Sequence, residues 1–240
     1  MKKNLLLFLF YPACGLLAQI PQSAALHAQF DQIGKAQSPS SVPSFDTRHE
    51  GVLGTRYTID TYKNGEIWLT DGHHYTTEFQ YRFDEIEQKI QVKYPDGKEL
   101  LLFNNYVTKC HIFNNDTIIK YQKVVVENEK ELHIFYQVLH EGKNFTFLKL
   151  PHRKVVRVDE KTALTIGRLY DEIKPVYHYY FKENDKQDTI FRALKLKKKD
   201  LLKMLPTKKI KLGALFKAPQ YNGDLDEQRC ITIFKKLEEQ

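Results

Sequence analysis

Between Tyr57 and Leu150 the chain is interrupted every few residues by turn chemistry, and this limits its fold more than anything else in the sequence. "YTIDTYK" runs into Asn64-Gly65, and "EIWLT" runs into Asp71-Gly72. Pro95-Asp96-Gly97 separates "KIQVKY" from "ELLLF", and Glu141-Gly142-Lys143-Asn144 separates "LHIFYQVLH" from "FTFLKL". Asn-Gly and Asp-Gly tolerate the positive φ of a tight hairpin turn, so each predicts a reversal between antiparallel strands. "YVTKCHIF" and "TIIKYQKVVV" add two β-branched or aromatic runs, and "PVYHYYF" with "DTIFRALKL" flanks a further polar turn. Ile90, Val92 and Tyr94 alternate with Lys89, Gln91 and Lys93, the period of a half-exposed strand. "VVV" and "LLLF" are apolar at consecutive positions, as where a sheet is covered on both faces. The expected fold is mainly β (α+β), with a curved antiparallel meander over 55–195. About eight to ten strands are expected, in an open or barrel-like sheet.

After Lys195 the period changes. "KKKDLLKMLP" predicts a helix that stops at Pro206, and "TKKIKLGALFKA" a second one with Thr207 as N-cap. A third starts at Asp224-Leu-Asp-Glu227, a capping-box-like arrangement, and places Cys230, Ile233, Phe234 and Leu237 on one face. Residues 196–240 are therefore expected to form two or three C-terminal helices packed on the sheet.

The opening "MKKNLLLFLFYPACGLLAQ" has Lys2 and Lys3 before a short apolar run, the grammar of a secretory signal peptide over 1–18 cleaved near Ala18. That predicts a periplasmic or outer-envelope (extracellular) protein. Lipidation at Cys14 is the rival reading, but Tyr11-Pro12-Ala13 suits that signal poorly. Residues 19–54 read as a Ser/Pro-containing arm or linker. No later stretch has the apolar length of a membrane-spanning helix. Two cysteines follow the leader, Cys110 and Cys230; a disulfide and two buried thiols both fit their spacing, and no CxxC is present.

Gly54-Thr-Arg-Tyr57, "NGEIWLTDGHHYTTEFQYRFDEIEQKIQVKYPDG", "FYQVLHEGKNFTFLKL", "HYYF" and the Lys-rich "KKKDLLKML" together resemble a family of uncharacterised exported Bacteroidota proteins. The resemblance spans roughly Gly54 to the C-terminus and rests on aromatic and turn positions. It implies an envelope location and transfers no functional residue.

Several chemistries are excluded by what is missing. All five serines lie between Ser23 and Ser44, and no GxSxG occurs, which argues against a serine hydrolase. Neither a Walker A loop nor GxGxxG appears, so no nucleotide cofactor is expected. Cys110 and His111 are strand neighbours that point to opposite faces, so they do not make a nucleophile–base pair. His140-Glu141 fails as HExxH because the fifth position is Asn144, and "DTYKNG" (Asp60–Gly65) fails as a calcium loop because its third position is Tyr62. His73 and His74, beside Asp71, are the weak metal candidates. They diverge on a strand and would need a ligand from elsewhere. Exposed tyrosines of "VYHYYF" would suit glycan stacking, against core packing as the plainer reading. Two "DTI" triplets, Asp116–Ile118 and Asp188–Ile190, match an O-glycosylation acceptor pattern. A carboxylate pair for glycan hydrolysis is the enzymatic alternative, with no two acids marked out.

Charge carries more information. The net +7 includes the two leader lysines, whereas Lys195–Lys217 alone holds nine lysines against Asp200, a local +8. The excess is therefore confined to the helical segment. Lys197, Lys198, Lys199, Lys208, Lys209 and Lys211 are the candidate contacts with an anionic lipid or lipopolysaccharide surface, or with an acidic envelope protein. Nucleic acid is an improbable partner for an exported chain. The plainer reading is that these lysines solvate helix faces whose other sides are apolar.

Overall fold

The computed structural model describes residues 52–76, 78–127, 134–158, 170–184 and 190–239. The expected leader, Cys14 and the serine-bearing arm as far as residue 51 lie outside them, as do most of the polar turn after Glu183 and the Asp188-Thr189 pair. The described chain forms eleven strands. They are β1 (Lys63–Leu69), β2 (His74–Tyr75), β3 (Gln80–Asp84), β4 (Lys89–Lys93), β5 (Glu99–Leu101) and β6 (Val107–Asn114). β7 (Thr117–Gln122), β8 (Tyr136–Glu141), β9 (Phe145–Val156), β10 (Glu172–Glu183) and β11 (Arg192–Leu194) follow. The sheet order is β11-β10-β9-β8-β7-β6-β1-β3-β4-β5, with β2 also on β1, and the ladders between these strands are antiparallel. Most strands pair with their chain neighbours, as in a meander. The sheet is curved but does not close, so the barrel-like variant is not adopted.

One expected turn is corrected. Asn64-Gly65 does not reverse the chain but lies inside β1, and Gly65 has no positive φ. Its glycine answers a steric need instead, because a Cβ there would stand 2.2 Å from the His111 carbonyl oxygen on β6 and 3.0 Å from Tyr81 Cδ2 on β3. At this point β1 leaves β3, which pairs with Lys63 and Asn64, and takes up β2, which pairs with Ile67 and Trp68. Gly72 and Gly97 do turn the chain, at φ +90° and +88° with open space around them. Two reversals lack glycine: Gln88 at φ 54° and Asn115 at φ 51° take the left-handed conformation in the β3–β4 and β6–β7 turns.

Curvature at β1 folds β3–β4 over β6–β7. The row Ile67–Cys110–Tyr121 crosses β1, β6 and β7 and meets Phe83 and Ile90 from above, with Phe83 stacked on Tyr121 at 4.4 Å. Ile90, Val92 and Tyr94 are buried as their alternation predicts. Gln91, on the opposite face, is buried too, because Arg82 and Tyr62 close over it.

At the other end of the sheet, three helices pack: α1 (Lys198–Met204), α2 (Lys209–Phe216) and α3 (Glu227–Glu238). Leu201, Leu205, Leu212 and the α3 face Cys230, Ile233, Phe234 and Leu237 are buried against Phe145, Phe147 and Phe181. Tyr136, Leu148 and Tyr180 form a smaller core with Val126 and Phe191. The α3 N-cap is Asp226, whose carboxylate accepts from the Arg229 N–H at 2.7 Å, two residues later than expected. Thr207 does not cap α2. It sits in a 3-10 turn over Pro206–Lys208, and α2 has no side-chain cap.

Candidate functional site

The lysine-bearing helices are held on the sheet by their leucines, which leaves the lysines outside. Lys197, Lys199, Lys209 and Lys211 are exposed, while Lys198 and Lys208 are half-buried. The Lys198 ammonium stands 5.8 Å from the Phe216 ring centre. Among the described residues no carboxylate pairs with any of the six. Lys195, Lys203 and Lys217 are exposed as well. A residue that charge counting passed over stands among them: Ile210, between Lys209 and Lys211, is 91% exposed. Its apolar side chain inside a basic run was the signal available in the sequence.

The histidine pair divides as strand geometry requires. His73 stays at the hairpin tip, where Asp71 Oδ1 accepts from its backbone N–H at 3.0 Å and lies 3.0 Å from its Nδ1. That backbone hydrogen bond holds the Asp71 carboxyl below the usual range. His74 turns instead onto Trp68, stacked at 4.3 Å, and His111 from β6 meets the same indole edge-on at 4.5 Å. Glu66 Oε2 lies between the two imidazoles, 3.6 Å from His74 Nε2 and 3.8 Å from His111 Nδ1. Burial, reinforced by Lys120, holds His111 below the usual histidine range against the pull of Glu66. Sequence reasoning weighed His111 only beside Cys110 and missed its place next to Glu66, because strand register brings the two together across 45 positions. Among the described residues no group of three or more His, Cys, Asp or Glu side chains is arranged to hold a metal ion.

The remaining candidates are structural. Cys110 and Cys230 are free, buried in separate cores, and held as thiols: burial raises both, Cys230 up to about 12. His140 stacks on Phe234 and stands 3.2 Å from Glu238 Oε2, while Glu238 Oε1 accepts from the Asn144 and Phe145 N–H groups at 3.1 Å each. The expected β8–β9 turn is therefore a socket for the end of α3. Tyr62, which spoils the calcium pattern, donates to Glu99 Oε2 at 2.8 Å, and Arg82 stacks between the Tyr57 and Tyr62 rings. The aromatics of β10 are largely engaged: Tyr179 donates to Glu227, Phe181 stacks on Phe234, and Tyr180 meets Tyr136 edge-on. The Thr117 hydroxyl of the first "DTI" donates to the Asn114 carbonyl.

Of the buried acids, Glu183 ends β10, while the two that neighbour each other, for a carboxylate pair, are Asp84 and Glu85 at the β3–β4 turn. Each faces a guanidinium, Arg56 Nε at 2.6 Å from Asp84 and Arg153 Nε at 2.8 Å from Glu85. A cavity of about 390 Å³ lies beside that turn, between Ile86, Gln88, Asn104, Ile134, Leu150 and His152, and Glu87 is the carboxylate on its wall. No helix among the described residues is long and apolar enough to cross a membrane. Compared with family models, curated proteins and solved structures, the chain matches none.

Proposed function

We propose that this is a non-enzymatic binding or scaffold protein of the cell envelope, exported after loss of its N-terminal leader, that presents its lysine-rich helical face to an anionic surface or acidic partner. One observation carries the reading. Lys198, Lys199, Lys209 and Lys211 lie on short helices anchored by buried leucines, Lys197 and Lys208 stand just ahead of them, and none of the six has a described acidic partner. Asp200 is the one acid in this segment, so few lysines have an opposite charge at i±3 or i±4 to offset them. Glycan hydrolysis has less behind it, since the cavity wall carries the single carboxylate Glu87 and the buried acids at the neighbouring turn, Asp84 and Glu85, are occupied by arginines.

The test is co-sedimentation with vesicles containing anionic lipid at low salt. Replacing Lys197, Lys198, Lys199, Lys208 and Lys209 by glutamine removes roughly 1 kcal/mol of attraction per lysine at such a surface. Binding should fall at least about a hundredfold with the far-UV spectrum unchanged. Equal pelleting of the variant, or no pelleting of the parent protein, would sink the reading.

A further inference from the structure

The helix α2 differs from α3 in how it places its apolar residues. On α3 they pack inward: Cys230, Ile233, Phe234 and Leu237 are buried, and Ile231 is half-buried against the same core. On α2 Leu212 is buried, but Ile210 is 91% exposed and Ala214, one turn on, is exposed with it. Gly213 lies beside them, and a Cβ there would meet nothing within 4 Å. Residues at i, i+3 and i+4 share a helix face. Ile210, Gly213 and Ala214 therefore make an apolar strip that looks away from the core. Exposed Lys209, Lys211 and Lys217 flank it, and Lys195, Lys197, Lys199 and Lys203 extend the positive charge onto the preceding segment.

A basic rim around a protruding aliphatic side chain matches a bilayer interface, where lysines meet lipid phosphates and the apolar group enters the boundary between headgroups and acyl chains. An acidic protein surface would use the lysines but would need a pocket shaped for the projecting Ile210, whereas a bilayer interface accepts an aliphatic side chain without one. We infer that the lysine face docks on an anionic lipid bilayer, with α2 lying in the plane of the interface and Ile210 inserted. This rests on the lysine-face reading proposed above and names its occupant.

The experiment compares partitioning of the full chain onto vesicles of zwitterionic lipid with and without 30 mol% anionic lipid, for Ile210→Ser, Ile210→Leu and the five-lysine glutamine variant. Because Ile210 is exposed, none of its substitutions removes a core contact, and the far-UV spectrum checks this. The expected result is a loss of about tenfold for Ile210→Ser, as one aliphatic side chain leaves the interface, and retention for Ile210→Leu. If Ile210→Ser binds as well as the parent while the lysine variant does not, insertion is wrong and the face is purely electrostatic. If the lysine variant also binds undiminished, the lysine-face reading itself fails.

Discussion

At the scale of single residues, two kinds of glycine can be separated by experiment. Gly65 is required by space, since a Cβ there would collide with backbone of β6, and backbone gives way far less readily than a side-chain tip. Gly72 is required by conformation, at φ +90° in open surroundings. Gly65→Ala should cost about 3 kcal/mol in urea denaturation, the scale of overpacking a tight site. Gly72→Ala should cost about 1 kcal/mol, the steric penalty of a left-handed residue. Equal costs would mean that β1 can move away from β6. The sequence marks both as Asn/Asp-Gly hairpin signals and cannot tell them apart, because the collision involves His111, far along the chain. The same distance hid the Trp68–His74–His111–Glu66 cluster. His74 was legible as a candidate, and its partners were not, since register across β2, β1 and β6 chooses them.

At the scale of elements, local rules located every C-terminal helix but misplaced the caps. The i, i+3, i+4, i+7 face of α3 is legible because its period depends only on residues within two turns, and all four positions are buried. Capping depends on where the chain enters the helix, and α2 is entered from the 3-10 turn over Pro206–Lys208. Asp226→Ala should destabilise the protein by about 1 kcal/mol, because the carboxylate satisfies the Arg229 N–H, while Thr207→Ala should be neutral within about 0.5 kcal/mol. Thermal or urea unfolding of the two variants side by side checks the assignment. A cost at Thr207 equal to that at Asp226 would restore the expected cap.

At the scale of the whole molecule, the two ends of the sheet are joined by a buried polar seam that no local pattern announces. Glu85 at the β3–β4 turn accepts from Arg153 Nε on β9 at 2.8 Å and from the Thr58 hydroxyl at 2.9 Å, and Thr58 in turn meets the Tyr121 hydroxyl at 2.8 Å. Arg153 Nη1 donates to the Thr55 carbonyl at 3.1 Å, tying the first described segment into the same joint. Removing one charge leaves the other buried, so Arg153→Met should cost about 3–5 kcal/mol. Adding Glu85→Gln should recover at least half of that loss, because the stranded carboxylate is then neutral. A double variant no better than Arg153→Met would show that the arginine acts through packing alone.

Composition, turn residues and periodicity determined the class of this protein: an antiparallel meander followed by helices, with its positive charge gathered in one segment. Those properties are local, fixed by φ preferences and by side-chain spacing within a few residues. Tertiary structure alone decided where β1 bends, that the sheet curls without closing, and that Arg56 and Arg153 meet Asp84 and Glu85. It also decided that Ile210 projects among the lysines while Leu212 is buried. Each of these depends on which distant backbone comes to lie beside a residue, and no neighbour in the chain carries that information.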